Sequence, residues 1–204
     1  MEAITQLSQL DPNGRYTYAD YLTWKFQEFV ELVKGRLLRP MAGPSARHQQ
    51  YSTNFVIEIG RFLKGKSCRV YAAPFDVRLT TGGANGDQQI NTVVQPDICI
   101  VCDLAKIDAR GCLGAPDWII EILSPGNVGH DTKTKFDLYE ENGVREYWIV
   151  APGLQSVTAY VLDAQGEYQL AAEYAQPGPM PVATLPGLAV EWADVFDDGE
   201  EPRP

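Results

Sequence analysis

Three residues that could act together on a phosphate lie within one stretch of this chain. Pro96-Asp97 opens an alternating apolar run, I-C-I-V. Glu121 sits inside a second run, D-W-I-I-E-I-L-S-P. Lys135 lies on D-T-K-T-K-F-D-L-Y-E-E-N-G, which has helical character and leads into E-Y-W-I-V. The order reads strand, strand, helix, strand. An acid among Ile, Val and Trp is costly to bury unless it is paired, and two such acids in consecutive strands suggest a shared partner. A divalent cation is the economical one, because it keeps both carboxylates ionised where they would otherwise repel and one pKa would rise. A hard cation such as Mg2+, with Mn2+ as a substitute, takes carboxylate, carbonyl, water and phosphate oxygens. Asp97 and Glu121 are therefore the expected metal ligands, with a main-chain carbonyl near Ile122 as a third donor. Such an ion supplies Lewis acidity toward a phosphoryl oxygen and a more acidic water. A lysine close by can orient that water and stabilise the charge that develops on phosphorus. The chemistry such a set of residues predicts is metal-dependent phosphodiester hydrolysis.

Periodicity says which elements must position these groups. Strand side chains alternate, so Asp97 shares a face with Cys99 and Val101, and Glu121 with Asp117, Ile119 and Leu123. On the helix, Lys135, Leu138, Tyr139 and Asn142 fall on one stripe and Asp131 one turn earlier, while Lys133, Asp137, Glu140 and Glu141 fall largely on the other side. Lys135 thus points with the apolar residues toward the sheet and Lys133 toward solvent. Asn142-Gly143 stops the helix. A helix between two strands implies a parallel pair with a right-handed crossover, a βαβ unit around residues 117–150.

The flanking elements supply two more candidates. Tyr16 to Gln27 reads as a short helix with Thr17 as its N-cap. Two apolar runs around Lys34-Gly35 read as a hairpin, and Glu31 lies in the first of them. A helix from Ser45 to about Lys64 has Tyr51, Phe55, Ile59, Phe62 and Leu63 on one face, and His48 projects onto that face. A histidine there is either a hydrogen-bonded core residue or a participant in catalysis. Arg69 to Leu79 is extended and interrupted by Pro74; Leu104 to Pro116, with Gly111 and Gly114, reads as a surface loop. Residues 157–171 form a β-hairpin, residues 176–187 are rich in Pro and Gly, and Leu188 to Phe196 is a last short element.

The chain's 204 residues suffice for one domain with a core. No apolar run approaches the ~20 residues of a membrane span, and the N-terminus has no secretion signal. The four cysteines are expected to be buried free thiols rather than zinc ligands, which fits a cytoplasmic location. The net charge of −10 opposes nucleic-acid binding, but its distribution is uneven. Residues 1–78 hold 11 Lys/Arg and 7 Asp/Glu; residues 79–204 hold 6 and 20. A basic N-terminal part could meet a phosphate backbone while the acidic remainder faces away.

Pro96-Asp97, Glu121-Ile-Leu-Ser-Pro, Asp131 with Lys135 and Tyr139, and Gly143-Val-x-Glu-Tyr-Trp together resemble the Uma-two family, whose members are classed as restriction endonucleases of the PD-(D/E)xK nuclease superfamily. The resemblance extends to F-V-E-L-V-K-G-R-L, His48, F-D-V-R-L and L-P-G-L, and so spans about residues 16–196. It implies an α/β restriction endonuclease-like fold, a mixed β-sheet flanked by helices, and a Mg2+-dependent DNA endonuclease that works as a homodimer. It also implies that Asp97, Glu121, Lys135, Glu31 and His48 form the catalytic site. One departure matters. In the wider superfamily the lysine follows the glutamate by two residues, where this chain has Leu123. The resemblance places it instead on the following helix, at Lys135, the residue the helical stripe already indicates. The expected organisation is an N-terminal arm at 1–15, a nuclease-like domain at 16–196 and an acidic, disordered tail at 197–204. Other readings stay open: a buried Glu121–Lys135 salt bridge with only a structural role, a catalytically degenerate fold kept for DNA binding or scaffolding, or a hydrolase of small phosphate esters.

Overall fold

The computed structural model describes residues 4–26, 30–38, 44–80, 86–124 and 130–196, the last without the side chains of residues 130–132. The expected acidic tail lies outside the described residues, as does Gln27 at the end of the expected first helix.

Thr17 caps α1 (Tyr18–Tyr21) in a reciprocal box with Asp20. The helix is shorter than its sequence suggests, because Trp24 leaves it to bridge Ile4. The hairpin of β1 (Glu31–Val33) and β2 (Arg36–Leu38) turns at Lys34 and Gly35, both at positive φ (49° and 81°), as a tight two-residue turn requires. Ser45 caps α2 (Ala46–Leu63), which buries His48, Tyr51, Phe55, Ile59 and Leu63 along one stripe. The extended segment after it divides at the cis Ala73-Pro74 bond into β3 (Arg69–Ala72) and β4 (Val77–Arg78).

There follow β5 (Val93–Val94) and β6 (Ile98–Val101). The stretch expected as a surface loop instead forms a small hairpin, β7 (Ile107–Asp108) and β8 (Gly111–Leu113). Its second strand pairs in parallel with β4 and buries Cys112. Then come β9 (Trp118–Ile122), α3 (His130–Glu141) and β10 (Glu146–Ala151). As expected, β10 runs parallel to β9 with α3 as the crossover. The hairpin β11 (Ser156–Leu162) and β12 (Tyr168–Tyr174) extends that sheet, and β13 (Pro179–Pro181), β14 (Ala189–Glu191) and α4 (Trp192–Phe196) close the described chain.

The class is α/β, with the strands divided over two large mixed sheets. The main sheet runs β12-β11-β10-β9-β6-β3 and the second β2-β1-β5-β4-β8-β7; β13 and β14 form a separate ribbon. One face of the main sheet, with Ile98, Ile100, Trp118, Ile120 and Trp148, packs against α2 and α4. Its other face, with Cys99, Val101, Ile119 and Tyr147, packs against Leu138 and Tyr139 of α3 and against Val77 and Val94 of the second sheet. Residues 95–97 pass from the second sheet to the main one.

Two features lock the frame. Glu146 is buried at 1% exposure, and its carboxylate accepts from Trp148 Nε1, the Ala183 and Thr184 main-chain N–H groups and the Thr184 hydroxyl, at 2.7–3.1 Å. This ties the Pro/Gly-rich segment to the main sheet. The β3–β6 register sets Arg69 against Val101 and so Cys68 against Cys102, which are joined in a disulfide. The expectation of four free thiols is thus corrected: Cys99 and Cys112 are free and buried, Cys68 and Cys102 are bridged. Only the long-range pairing of β3 with β6 brings the two together, and local spacing does not reveal it.

Candidate functional site

The antiparallel register of β6 and β9 pairs Ile98 with Ile120 and Cys99 with Ile119. One step further along the same ladder, Asp97 stands opposite Glu121. Glu121 lies on the face that carries Ile119, on the side covered by α3, while Asp97, just before β6, reaches His48 at the start of α2. A directly opposed pair of acids is repulsive, and the surrounding groups answer that charge.

Glu121 is 8% exposed. Its Oε1 accepts from Lys135 Nζ at 3.0 Å and from the Tyr139 hydroxyl at 2.6 Å. The two donors lie one helical turn apart on α3, so the stripe that delivers Lys135 delivers Tyr139 as well. Lys135 Nζ is also 3.3 Å from Glu31 Oε1, which places the cation between two buried carboxylates. Asp97 Oδ2 accepts from the Ile122 N–H at 2.7 Å and lies 3.2 Å from His48 Nε2. The five residues singled out in the sequence, Glu31, His48, Asp97, Glu121 and Lys135, thus fall into two linked clusters around the opposed acids. They arrive from β1, α2, the lead-in to β6, β9 and α3.

Burial pushes the Glu121 carboxyl up from 4.5 to about 7, against the opposing pull of Lys135; the nearby Asp97 and Glu31 charges add to the rise. Burial would lower the His48 pKa, but its hydrogen bond and charge pairing with Asp97 more than reverse that, and the net shift is upward. Burial raises the Tyr139 hydroxyl far out of its ordinary range, which keeps it a proton donor to Glu121. The Glu121 shift has a measurable sign. The folded chain holds this proton more tightly than the unfolded chain, so the stabilising contribution is full below about pH 4.5 and is lost as pH rises through 7. Urea midpoints measured without divalent metal should fall across that window, and Glu121→Gln should flatten the slope. An equally steep fall in the variant would rule out this assignment.

Tyr139 is legible on the helical stripe and among the residues that carry the resemblance, but its hydrogen bond to Glu121 is not. Two further residues escape a reading of the sequence alone. Gln95 donates its main-chain N–H to Glu31 Oε1 and its side-chain amide to Asp76 Oδ1, both at 2.8 Å. Neither Gln95 nor Asp76 shows its role until β1, β4 and β5 are paired.

The donor set suits a hard cation. Among the described residues no three His, Cys, Asp or Glu side chains form a metal cluster. Two carboxylates, completed by a main-chain carbonyl, water and phosphate oxygens, are what Mg2+ commonly uses. Asp97 and Glu121 could supply those carboxylates.

Comparison with known proteins agrees in outline. A protein of Synechocystis sp. described only as uncharacterized is 22% identical over 162 residues, which cover 77% of this chain and 80% of the relative. The crystal structure of a "putative nuclease belonging to DUF820" from Anabaena variabilis superposes with a TM-score of 0.67 at 21% identity, over 89% of this chain and 98% of that one. At that identity the likeness establishes the shared fold. The sequence profile of the Uma-two (Uma2) family, described as "Putative restriction endonuclease", matches residues 18–193, from α1 through the start of α4. The chain is a member of that family.

Proposed function

We propose that the protein is a Mg2+-dependent DNA endonuclease. The observation that carries this reading is the opposition of Asp97 and Glu121 across β6 and β9, with the Lys135 ammonium 3.0 Å from Glu121. Membership in a family described as restriction endonucleases supports it. Asp97 and Glu121 would hold the ion, with Mn2+ as an alternative. When bound, it supplies Lewis acidity toward a phosphoryl oxygen.

The chain's own groups do the rest. His48 and the Ile122 N–H fix Asp97 Oδ2, and Tyr139 fixes Glu121 Oε1, so the two acids are oriented before substrate arrives. Lys135 is tethered by Glu31, which keeps its ammonium at the edge of the acid pair. From there it orients the attacking water and stabilises the extra negative charge of the pentacovalent phosphorus. Water forms the new P–O bond as the bond to the leaving sugar oxygen breaks. The positive balance of residues 1–78 gives the DNA backbone a complement. Cutting both strands of a duplex calls for a second site, and we assign that to a homodimer.

The test is cleavage of supercoiled plasmid by the wild-type chain with Mg2+ or Mn2+, with EDTA as control. Metal-dependent nicking supports the reading. A folded wild type that leaves plasmid intact with either metal, across salt and pH, refutes it. Hydrolysis of a small phosphodiester without cleavage of DNA would replace it with the small-substrate alternative.

A further inference from the structure

One half-buried acid, already met through its contact with Gln95, takes no step in the chemistry proposed above. Asp76 immediately precedes β4, and burial raises its pKa against the opposing effect of its hydrogen bond from Gln95. Its position follows from the second sheet. The β4–β5 register pairs Val77 with Val94, which sets Asp76 opposite Gln95. The β1–β5 register pairs Leu32 with Val93, which sets Glu31 beside the end of β5. The β5 strand stops at Val94, so the Gln95 N–H leaves the ladder, and it donates to Glu31 Oε1 at 2.8 Å. The next residue, Pro96, has no N–H, and the one after it is Asp97. The Gln95 side chain meanwhile donates to Asp76 Oδ1 at 2.8 Å. Asp76 is itself pinned through its main chain. Its carbonyl accepts from the Cys112 N–H at 2.8 Å, and a Cβ on Gly111 (φ +117°) would come within 2.1 Å of that carbonyl oxygen. Only glycine allows this approach.

The contacts thus form one chain from the rim of the second sheet to the acid pair: the start of β8 at Gly111 and Cys112 holds Asp76, Asp76 holds Gln95, Gln95 holds Glu31, Glu31 holds Lys135, and Lys135 meets Glu121. We infer that Asp76 is a positioning residue for this site: by tethering Gln95 it fixes the Glu31 carboxylate, and through Glu31 it sets where the Lys135 ammonium stands. The catalytic part of this inference rests on the nuclease reading; the positioning part does not.

The experiment compares plasmid nicking by the full chain with Asp76→Ala, Asp76→Asn, Gln95→Ala and the Asp76→Ala/Gln95→Ala pair, under Mg2+ and over a range of DNA concentrations. A crystal structure of Asp76→Ala accompanies it. Losing the tether is expected to lower kcat on the order of 10–100-fold with KM unchanged, the size usual for groups that orient metal-site residues. The double variant should be no worse than either single one, because both break the same link. Asp76→Asn should recover most of the rate, since its amide oxygen still accepts from Gln95. Unchanged kcat in folded Asp76→Ala or Gln95→Ala, additive losses in the pair, or no rescue by asparagine would each overturn the inference. If Asp76→Ala fails to fold, Gln95→Ala and Asp76→Asn decide the matter. Should the wild type not cleave at all, the nuclease reading falls and the crystal structure decides: a Glu31 carboxylate displaced from Lys135 upholds the positioning role, and an unmoved one refutes it.

Discussion

Alanine at Asp97, Glu121 or Lys135 is expected to remove metal-dependent plasmid cleavage, and the three variants should fail in different ways. On the proposed reading, loss of Asp97 or Glu121 deletes one of the two carboxylates that would hold the ion, so excess Mg2+ should not restore the rate. Loss of Lys135 leaves that pair in place and removes the charge that faces the phosphate. A drop on the order of 10^2–10^3-fold in kcat follows for a preorganised donor of this kind. Lys135→Ala also leaves Glu31 and Glu121 buried near each other with no ammonium between them. Breaking a buried pair from one side costs about 3–5 kcal/mol, so this variant should unfold at lower urea than the wild type when metal is absent. If Mg2+ binds the folded chain as proposed, it should return part of that loss. Cleavage that survives in Lys135→Ala at near wild-type rate would keep the two acids and sink the assignment of the lysine to α3. A Lys135→Ala chain as stable as wild type without metal would show that the buried pair is not what balances the glutamates.

The second large effect concerns stability rather than chemistry. Glu146→Ala is expected to destabilise the protein by about 4–5 kcal/mol, near the upper end of single substitutions. The carboxylate satisfies four donors at once, and the side chain is 1% exposed. Alanine leaves the buried Trp148 indole N–H without its acceptor and takes away the acceptor that holds the Ala183 and Thr184 main-chain N–H groups and the Thr184 hydroxyl, which lie nearer the surface; an unpaired buried donor carries its own desolvation cost. The segment it anchors brings Val182, Leu185 and Leu188 into the core beneath α2. Urea denaturation with and without the substitution measures this, and a change under about 1 kcal/mol would mean the segment is held by packing alone. Glu146→Gln should fall between the two, since its amide keeps one oxygen acceptor but presents an N–H where an acceptor is needed.

Much of the site is legible in the sequence because strand and helix periods fix faces. Alternation put Glu121 on the face of Ile119, and the i, i+3, i+4, i+7 stripe turned Lys135 inward to Glu121 and Lys133 outward, where it pairs with Asp137. The α2 stripe likewise placed His48 beside the apolar face it accompanies. What periodicity does not encode is which strands meet. The Cys68–Cys102 bridge, the seat of β8 beside β4 and the Asp76–Gln95–Glu31 contacts all depend on pairings between segments far apart in the chain. The run at 104–116 reads as a loop because its strands are two and three residues long and glycine-punctuated. Its glycine is in fact what lets the strand approach the Asp76 carbonyl. Propensity also overextended α1, since a tertiary contact between Ile4 and Trp24 draws the chain away after Tyr21.

The way β9 carries Glu121 between Ile120 and Ile122 sets a rule for how this chain can vary in length. Side chains alternate strictly along the strand, so one inserted or deleted residue between Trp118 and Glu121 would turn the carboxylate beneath α2 and bring an isoleucine to face Asp97. The connection after β6 is under such a constraint only where β7 and β8 are paired; extra residues in its loops are absorbed outside the ladders. Relatives with the same chemistry should therefore place their length changes between Asp97 and Trp118 in the loops around β7 and β8 and hold the spacing from Trp118 to Glu121 constant.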